Sequence, residues 1–224
     1  MKKLILLLLL NLLITGCTVQ KNFKKYYFPI NVIKEPKVYI YTDKKGRSNN
    51  ENRKFTINQK RNILFTEYYL GGKINKSTKE KITRKGIELI EFNTYERNDD
   101  GVLIPMKAII NYKNVCKWNK GEEYIYTVKY KGRYTTEVYE KRRINRGFEK
   151  LTLNGIEYEV MCIYDLDKIN SEDVDEMHVT YYAKNIGQIK SYYEGHHYQI
   201  ELDLMEILSE KEFDKRNEEL DDYY

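Results

Sequence analysis

Asp165, Asp167, Ser171, Asp173 and Glu176 stand at relative positions 1, 3, 7, 9 and 12. That is the spacing at which a calcium loop wraps oxygen ligands around a hard cation. Ile169 takes position 5 and Asn170 replaces the turn glycine, and the flanks read as strands, so the competing reading is an acidic, solvated hairpin loop. The histidines are His178, His196 and His197. Neighbours on a strand face opposite sides, so a single metal cannot easily use both His196 and His197. The serines Ser48, Ser77, Ser171, Ser191 and Ser209 carry no local nucleophile signature, and no His-Glu-x-x-His, Gly-x-Ser-x-Gly or phosphate-cradling glycine loop occurs. The expectation is a protein without resident metal or cofactor and without enzymatic activity.

Basic side chains gather at Lys73, Lys76, Lys79, Lys81, Arg84 and Lys85 and again at Lys141, Arg142, Arg143 and Arg146, interleaved with tyrosines. Such a pattern fits nucleic acid, a solvated strand face, or anionic lipid headgroups. The start of the chain decides against nucleic acid. Lys2 and Lys3 precede an almost wholly apolar run from Leu4 to Leu13, the order of a secretion signal, and the run is too short to span a bilayer.

The residues Leu13-Ile14-Thr15-Gly16-Cys17 resemble the lipobox of bacterial lipoproteins. The resemblance implies cleavage between Gly16 and Cys17 and a thioether-linked diacylglycerol on Cys17. Several acyl chains of palmitate type give stable anchoring where one is marginal. Thr18 occupies the place where similar Gram-negative lipoproteins carry Asp for inner-membrane retention, so the expected address in such a host is the outer membrane. Export also permits a disulfide between Cys116 and Cys162, the alternative being two buried thiols on neighbouring strands.

Removal of residues 1–16 leaves 208 of 224 residues and, with Lys2 and Lys3 gone, takes the net charge from +5 to +3. Residues 206–222 alone are net −5, so the body before them is strongly basic. Twenty-two tyrosines supply buriable area where aliphatic residues are few.

Turn signals such as Gly71-Gly72, Lys85-Gly86, Asn154-Gly155 and Ile186-Gly187 recur every 8 to 15 residues or so, which predicts successive short strands. Tyr124, Tyr126, Val128 and Tyr130 alternate with Ile125, Thr127 and Lys129; Ile156, Tyr158, Val160, Cys162, Tyr164 and Leu166 form a second apolar face, and Tyr198, Ile200, Leu202 and Leu204 a third. One greasy and one wet face per strand suits an antiparallel sheet. Residues 73–85 fit a helix or an edge strand. Ser209 with Glu212 makes a capping box before a charged run.

The predicted fold is mainly all-β, an antiparallel meander of nine to eleven strands curled into a half-barrel or barrel with a short C-terminal helix. Its parts are a signal (1–16), a lipidated cysteine and tether (17–25), a β-rich domain (26–208) and an acidic helix or tail (209–224). Within it, Trp118 to Tyr124, Lys150 to Tyr158 and Tyr181 to Lys190 resemble, over about residues 115–207, the secreted lipoproteins of the TapB-like group. The resemblance implies a curved antiparallel sheet and brings no catalytic residues.

The expected role is a non-enzymatic, acyl-anchored envelope lipoprotein that binds or assembles at a membrane, with anionic headgroups or an envelope protein as partners. Two alternatives stand beside it. One is a carrier of lipid or another apolar ligand in a cavity lined by Tyr124, Tyr126, Tyr158 and Tyr198; the other is a hydrolase assembled from distant residues.

Overall fold

Strand follows strand in antiparallel order from Lys37 to Ser209: β1 (Lys37–Asp43), β2 (Glu51–Asn58), β3 (Ile63–Leu70), β4 (Lys73–Ile82), β5 (Gly86–Arg97), β6 (Leu103–Lys107), β7 (Ile109–Lys117), β8 (Glu123–Lys131), β9 (Thr136–Leu153), β10 (Ile156–Ile169), β11 (Glu172–Ala183), β12 (Gly187–Glu194) and β13 (Gln199–Ser209). The computed structural model describes residues 23–28, 33–46, 50–98, 102–119, 121–131, 136–169, 172–195 and 199–221; the side chains of 172–176 and 217–221 lie outside that description. The signal segment, Gly16, Cys17, Ser171, His196, His197 and Tyr198 are therefore outside the described residues.

Pairing of β1 with β13 and of β4 with β5 joins the sheet to itself, so twelve strands form a closed barrel and β6 hangs on β5 as an extra hairpin arm. Closure removes the exposed edges that a half-barrel would leave. Residues 73–82 are a strand rather than a helix. That strand is no edge either, since β4 bonds β3 on one side and β5 on the other. The predicted hairpins form where glycine permits positive φ: Asn154 and Gly155 have φ of 50° and 79° between paired Leu153 and Ile156.

The tether reading ends earlier than residue 25. Helix α1 (Lys24–Tyr27), a single turn that could not stand alone, is held in one mouth of the barrel by aromatic packing. Phe23 stacks on Phe148 (4.6 Å), Tyr27 on Tyr182 (5.0 Å), and Phe28 meets Phe55 (4.6 Å). The Asn185 N–H donates to the Lys25 carbonyl at 2.9 Å and fixes the plug to the β11–β12 turn. Around the plug the interior is a filled core that includes Leu64, Ile87, Leu89, Tyr124, Met161, Ile163 and Leu204.

Helix α2 (Glu210–Asp221) starts as the capping box requires. The Ser209 N–H and hydroxyl donate to the Glu212 carboxylate at 2.7 and 2.6 Å, and the Glu212 N–H donates back to the Ser209 hydroxyl at 3.3 Å. Phe213 packs on Val38 and Leu208 and docks the helix on the outer wall.

The apolar face expected on residues 156–166 is divided: Val160 joins the core cluster and Tyr158 packs against it, while other members leave it. Met161, Ile163 and the buried Asp165 face the interior, whereas Ile156 and Leu166 are more than half exposed. Register follows the partners on either side, and Asp165 finds cations inside that it could not find outside.

At Gly86 the β5–β7 seam brings the two backbones close together. A Cβ built at Gly86 would lie 1.9 Å from the Cys116 carbonyl oxygen, a backbone atom that cannot step aside. Gly86→Ala is expected to lower unfolding free energy in urea by about 2 kcal/mol or more, because the seam must open to admit the methyl.

Candidate functional site

Above the plug, the lumen is an open cavity of about 430 Å³, within the range of small-molecule sites. Its floor is Tyr27, and its wall reaches Tyr130 and Tyr139, close to the β8–β9 connection at the opposite end. Alternation along each strand aims every second side chain inward: β9 contributes Tyr139, Lys141 and Arg143, β10 Asp165 and Asp167, β11 His178, Thr180 and Tyr182. Arg53 from β2 and Lys76 and Glu80 from β4 complete the charged lining.

Asp165 is the centre. Arg143 Nε donates to Oδ1 at 2.7 Å and Lys141 Nζ to Oδ2 at 3.2 Å, while Arg143 Nη1 also donates to the Val115 carbonyl at 2.7 Å. Burial alone would raise the Asp165 pKa, but the two cations overcome it and hold the carboxyl well below the usual range. Lys141 also reaches Asp167 at 3.3 Å, and the Tyr139 hydroxyl donates to Asp167 Oδ2 at 2.7 Å.

His178 lies on this network with Nδ1 3.2 Å from both Lys141 Nζ and Asp165 Oδ2, and Nε2 3.1 Å from the Thr180 hydroxyl. Its ring stacks on Tyr193 at 3.9 Å. Burial, helped by the Lys141 charge, pushes its pKa down to about 4, so the imidazole is neutral at pH 7.

Arg53 is engaged by Glu51 and Gln188 and lies over the rings of Tyr41 and Tyr68 at 4.9 and 5.2 Å. Lys76 differs. Its ammonium stands 4.1 Å from the Tyr68 ring centre, and no ion pair within 4.0 Å forms among the described residues. Burial lowers its pKa to about 8, Glu51 opposing and Arg53 and Lys141 adding to the shift. Glu80 has only the Tyr27 hydroxyl, at 3.1 Å, and burial raises its pKa to about 7 against the partial relief of Arg143.

These positions correct several expectations. Of the four tyrosines proposed to line a cavity, Tyr126 does so; Tyr124 is in the filled core, Tyr158 is outside the lining, and Tyr198 lies outside the described residues. The lining is ionic as well as aromatic. The calcium-loop spacing does not assemble a site: Asp165 and Asp167 point into the lumen and are taken by Lys141 and Arg143, and β10 and β11 run on as paired strands to Ile169 and Glu172. Ser171 lies outside the described residues, as do the side chains of Asp173 and Glu176.

Cys116 and Cys162 are both free and buried. They sit on β7 and β10 with β8 and β9 between, Cys116 in the core cluster and Cys162 on the outward face with Tyr164 and Leu166, so the disulfide does not form. Burial pushes each thiol up to about 12.

The basic run 141–146, read as one solvated face, divides: Lys141 and Arg143 enter the lumen, while exposed Arg146 covers the outer Tyr164 ring at 5.1 Å. Sequence reasoning missed Arg53, Lys76, Glu80, Lys141 and Arg143 as site residues. One usable signal was there: Tyr139, Lys141 and Arg143 share a parity that pairs, across the sheet, with Asp167 and Asp165.

No family model matches the chain, and no curated protein matches it. Among solved structures it is similar to the crystal structure of the hypothetical lipoprotein YmcC from Escherichia coli (K12), with 8% identity over 87% of this chain and 91% of that chain and a TM-score of 0.35.

Glu80 supplies a pH test. Its folded pKa of about 7 exceeds the ordinary 4.5, so the folded state holds the extra proton between those values. The stability it contributes is complete below pH 4.5 and is lost as pH rises through about 7. Glu80→Gln keeps a neutral partner for Tyr27 throughout. In urea titrations the variant should match wild type near pH 4.5 and exceed it by about 3 kcal/mol at pH 8.

Proposed function

We propose that this protein is a non-enzymatic, acyl-anchored lipoprotein of the bacterial envelope whose barrel lumen holds a small polar ligand with an anionic group. One observation carries the reading: a lumen of about 430 Å³ lined by fixed charges, in which Lys76 forms no ion pair among the described residues. Lys76 is half-buried, with the Tyr68 ring beside its ammonium, and an anion placed there relieves the cost of its partial desolvation. The tyrosine rings around it offer flat surfaces and hydroxyls to the remainder of such a ligand.

An acyl chain would fit poorly. Filling the lumen with hydrocarbon would strip water from Lys76, Glu80 and the outer atoms of the Asp165 network without replacing its hydrogen bonds. A hydrolase fits poorly as well. Asp165, His178 and Thr180 stand in the order carboxylate, imidazole, hydroxyl, but an imidazole with a pKa of about 4 is a weak base at pH 7, and Lys141 competes for Nδ1. The lipobox supports the address, with the outer membrane favoured in a Gram-negative host.

Two experiments test this reading. Protein purified from envelope membranes and denatured should release an acidic small molecule detectable by mass spectrometry, and Lys76→Met should retain about a tenth of it or less while folding normally. Extracts that hold acyl lipid in its place, or equal yields from both proteins, would contradict the lumen assignment. For the anchor, Cys17→Ser should abolish both radiolabelled palmitate incorporation and signal removal.

A further inference from the structure

The end of the barrel that carries the plug also carries a rim of cations. Strands alternate in direction, so the turns after β2, β4, β7, β9 and β11 share this end with α1. Lys25, Lys34, Lys60, Arg61, Arg84, Lys85 and Lys184 are all exposed there. None forms an ion pair among the described residues. Several acids of this end are paired, Glu35 with Lys37 (2.8 Å), Glu122 with Lys117 (3.5 Å), Glu123 with Arg142 (3.7 Å) and Glu157 with Lys150 (2.8 Å), while Glu159 accepts from the Tyr26 hydroxyl and keeps its charge. The acidic helix α2 starts at this end, opposite Lys37, and lies against the outer wall with Glu210 on Lys54, Glu206 on Arg216 and Asp214 exposed.

Beside Arg84 and Lys85 the surface holds a hollow of about 400 Å³ that Trp118 also lines. Its acids are again neutralised, Glu88 by Lys113 at 2.8 Å and Glu122 by Lys117 at 3.5 Å. Half-buried Trp118 donates its indole N–H to the Thr83 carbonyl at 3.2 Å, which leaves an amphipathic ring at the rim of a cationic hollow. Indoles favour the headgroup level of bilayers, and Lys or Arg side chains near an anionic surface are drawn to it.

We infer that this plugged, basic end docks on an anionic bilayer surface, with the Arg84–Lys85–Trp118 hollow receiving a phospholipid headgroup. The chain that precedes Phe23 attaches at the same end. Five residues, 18–22, separate Phe23 from Cys17, and even fully extended they reach only about 20 Å. An acylated Cys17 therefore holds this end near the membrane, while the rim charges fix its tilt and leave the lumen mouth facing away.

The test uses the chain from Thr18 onward, which contains every described residue and lacks the acylation site. It should float with vesicles of phosphatidylcholine containing phosphatidylglycerol, not with phosphatidylcholine alone, and should detach when salt shortens the Debye length to about 3 Å. Charge reversal at the rim (K60E, R61E, R84E, K85E) should weaken binding at least tenfold. Reversal at the far end (K73E, K131E) should leave it unchanged. The two double variants, K60E/R61E and R84E/K85E, each carry a smaller loss and serve if the quadruple variant fails to fold. Equal binding to neutral vesicles, or equal loss from far-end reversal, overturns the docking surface. Ligand content of the lumen is read separately, so failure here leaves that assignment standing.

Discussion

A ring of twelve strands encloses more space than side chains pointing inward can fill; about eight strands is the width at which they meet across the axis. That geometric excess governs the molecule. At one end it is filled by a separate piece of chain, the aromatic segment Phe23 to Phe28, which adds rings where the wall cannot reach. At the other it is left open and lined with charge. A lumen lined by apolar groups and left empty would forfeit dispersion contacts on every side, whereas polar groups can keep water or a ligand there.

The charged half depends on Asp165. Asp165 pairs with two cations from β9, one of which, Lys141, also meets Asp167, and these cations keep Asp165 ionised far below its ordinary range. Networks of this kind gain little net stability but make their members hard to remove singly, because each loss strands a buried charge. The consequence is a pre-oriented polar wall in which His178 stays neutral and Lys76 forms no ion pair among the described residues. In the binding role proposed above, the ligand supplies an anionic group beside Lys76.

Filled and open ends also give the barrel a direction. The end closed by α1 gathers exposed cations that form no ion pair among the described residues, together with the attachment of the N-terminal chain, while the cavity extends toward the opposite turns. In the roles proposed above, membrane attachment and ligand capture fall at opposite ends, so neither needs to interrupt the other.

The sequence by itself determined the class of fold. Period-two alternation at 124–130, turn glycines at 155 and 187, and the Ser209–Glu212 pair are local signals, and each produces its strand, hairpin or helix start in the structure. The lipobox is local too, and it speaks from residues alone. What only the tertiary structure decided was closure, facing and partnership. Strand β1 is placed beside β13 only by the closing of the ring, and the inward carboxylates of β10 are met by cations on β9 that the β10 sequence does not contain. Whether Lys141 is solvated or buried, and whether Asp165 meets calcium or arginine, depends on which residue lies across the sheet. Register is a property of pairs of strands, and no single strand's sequence contains it.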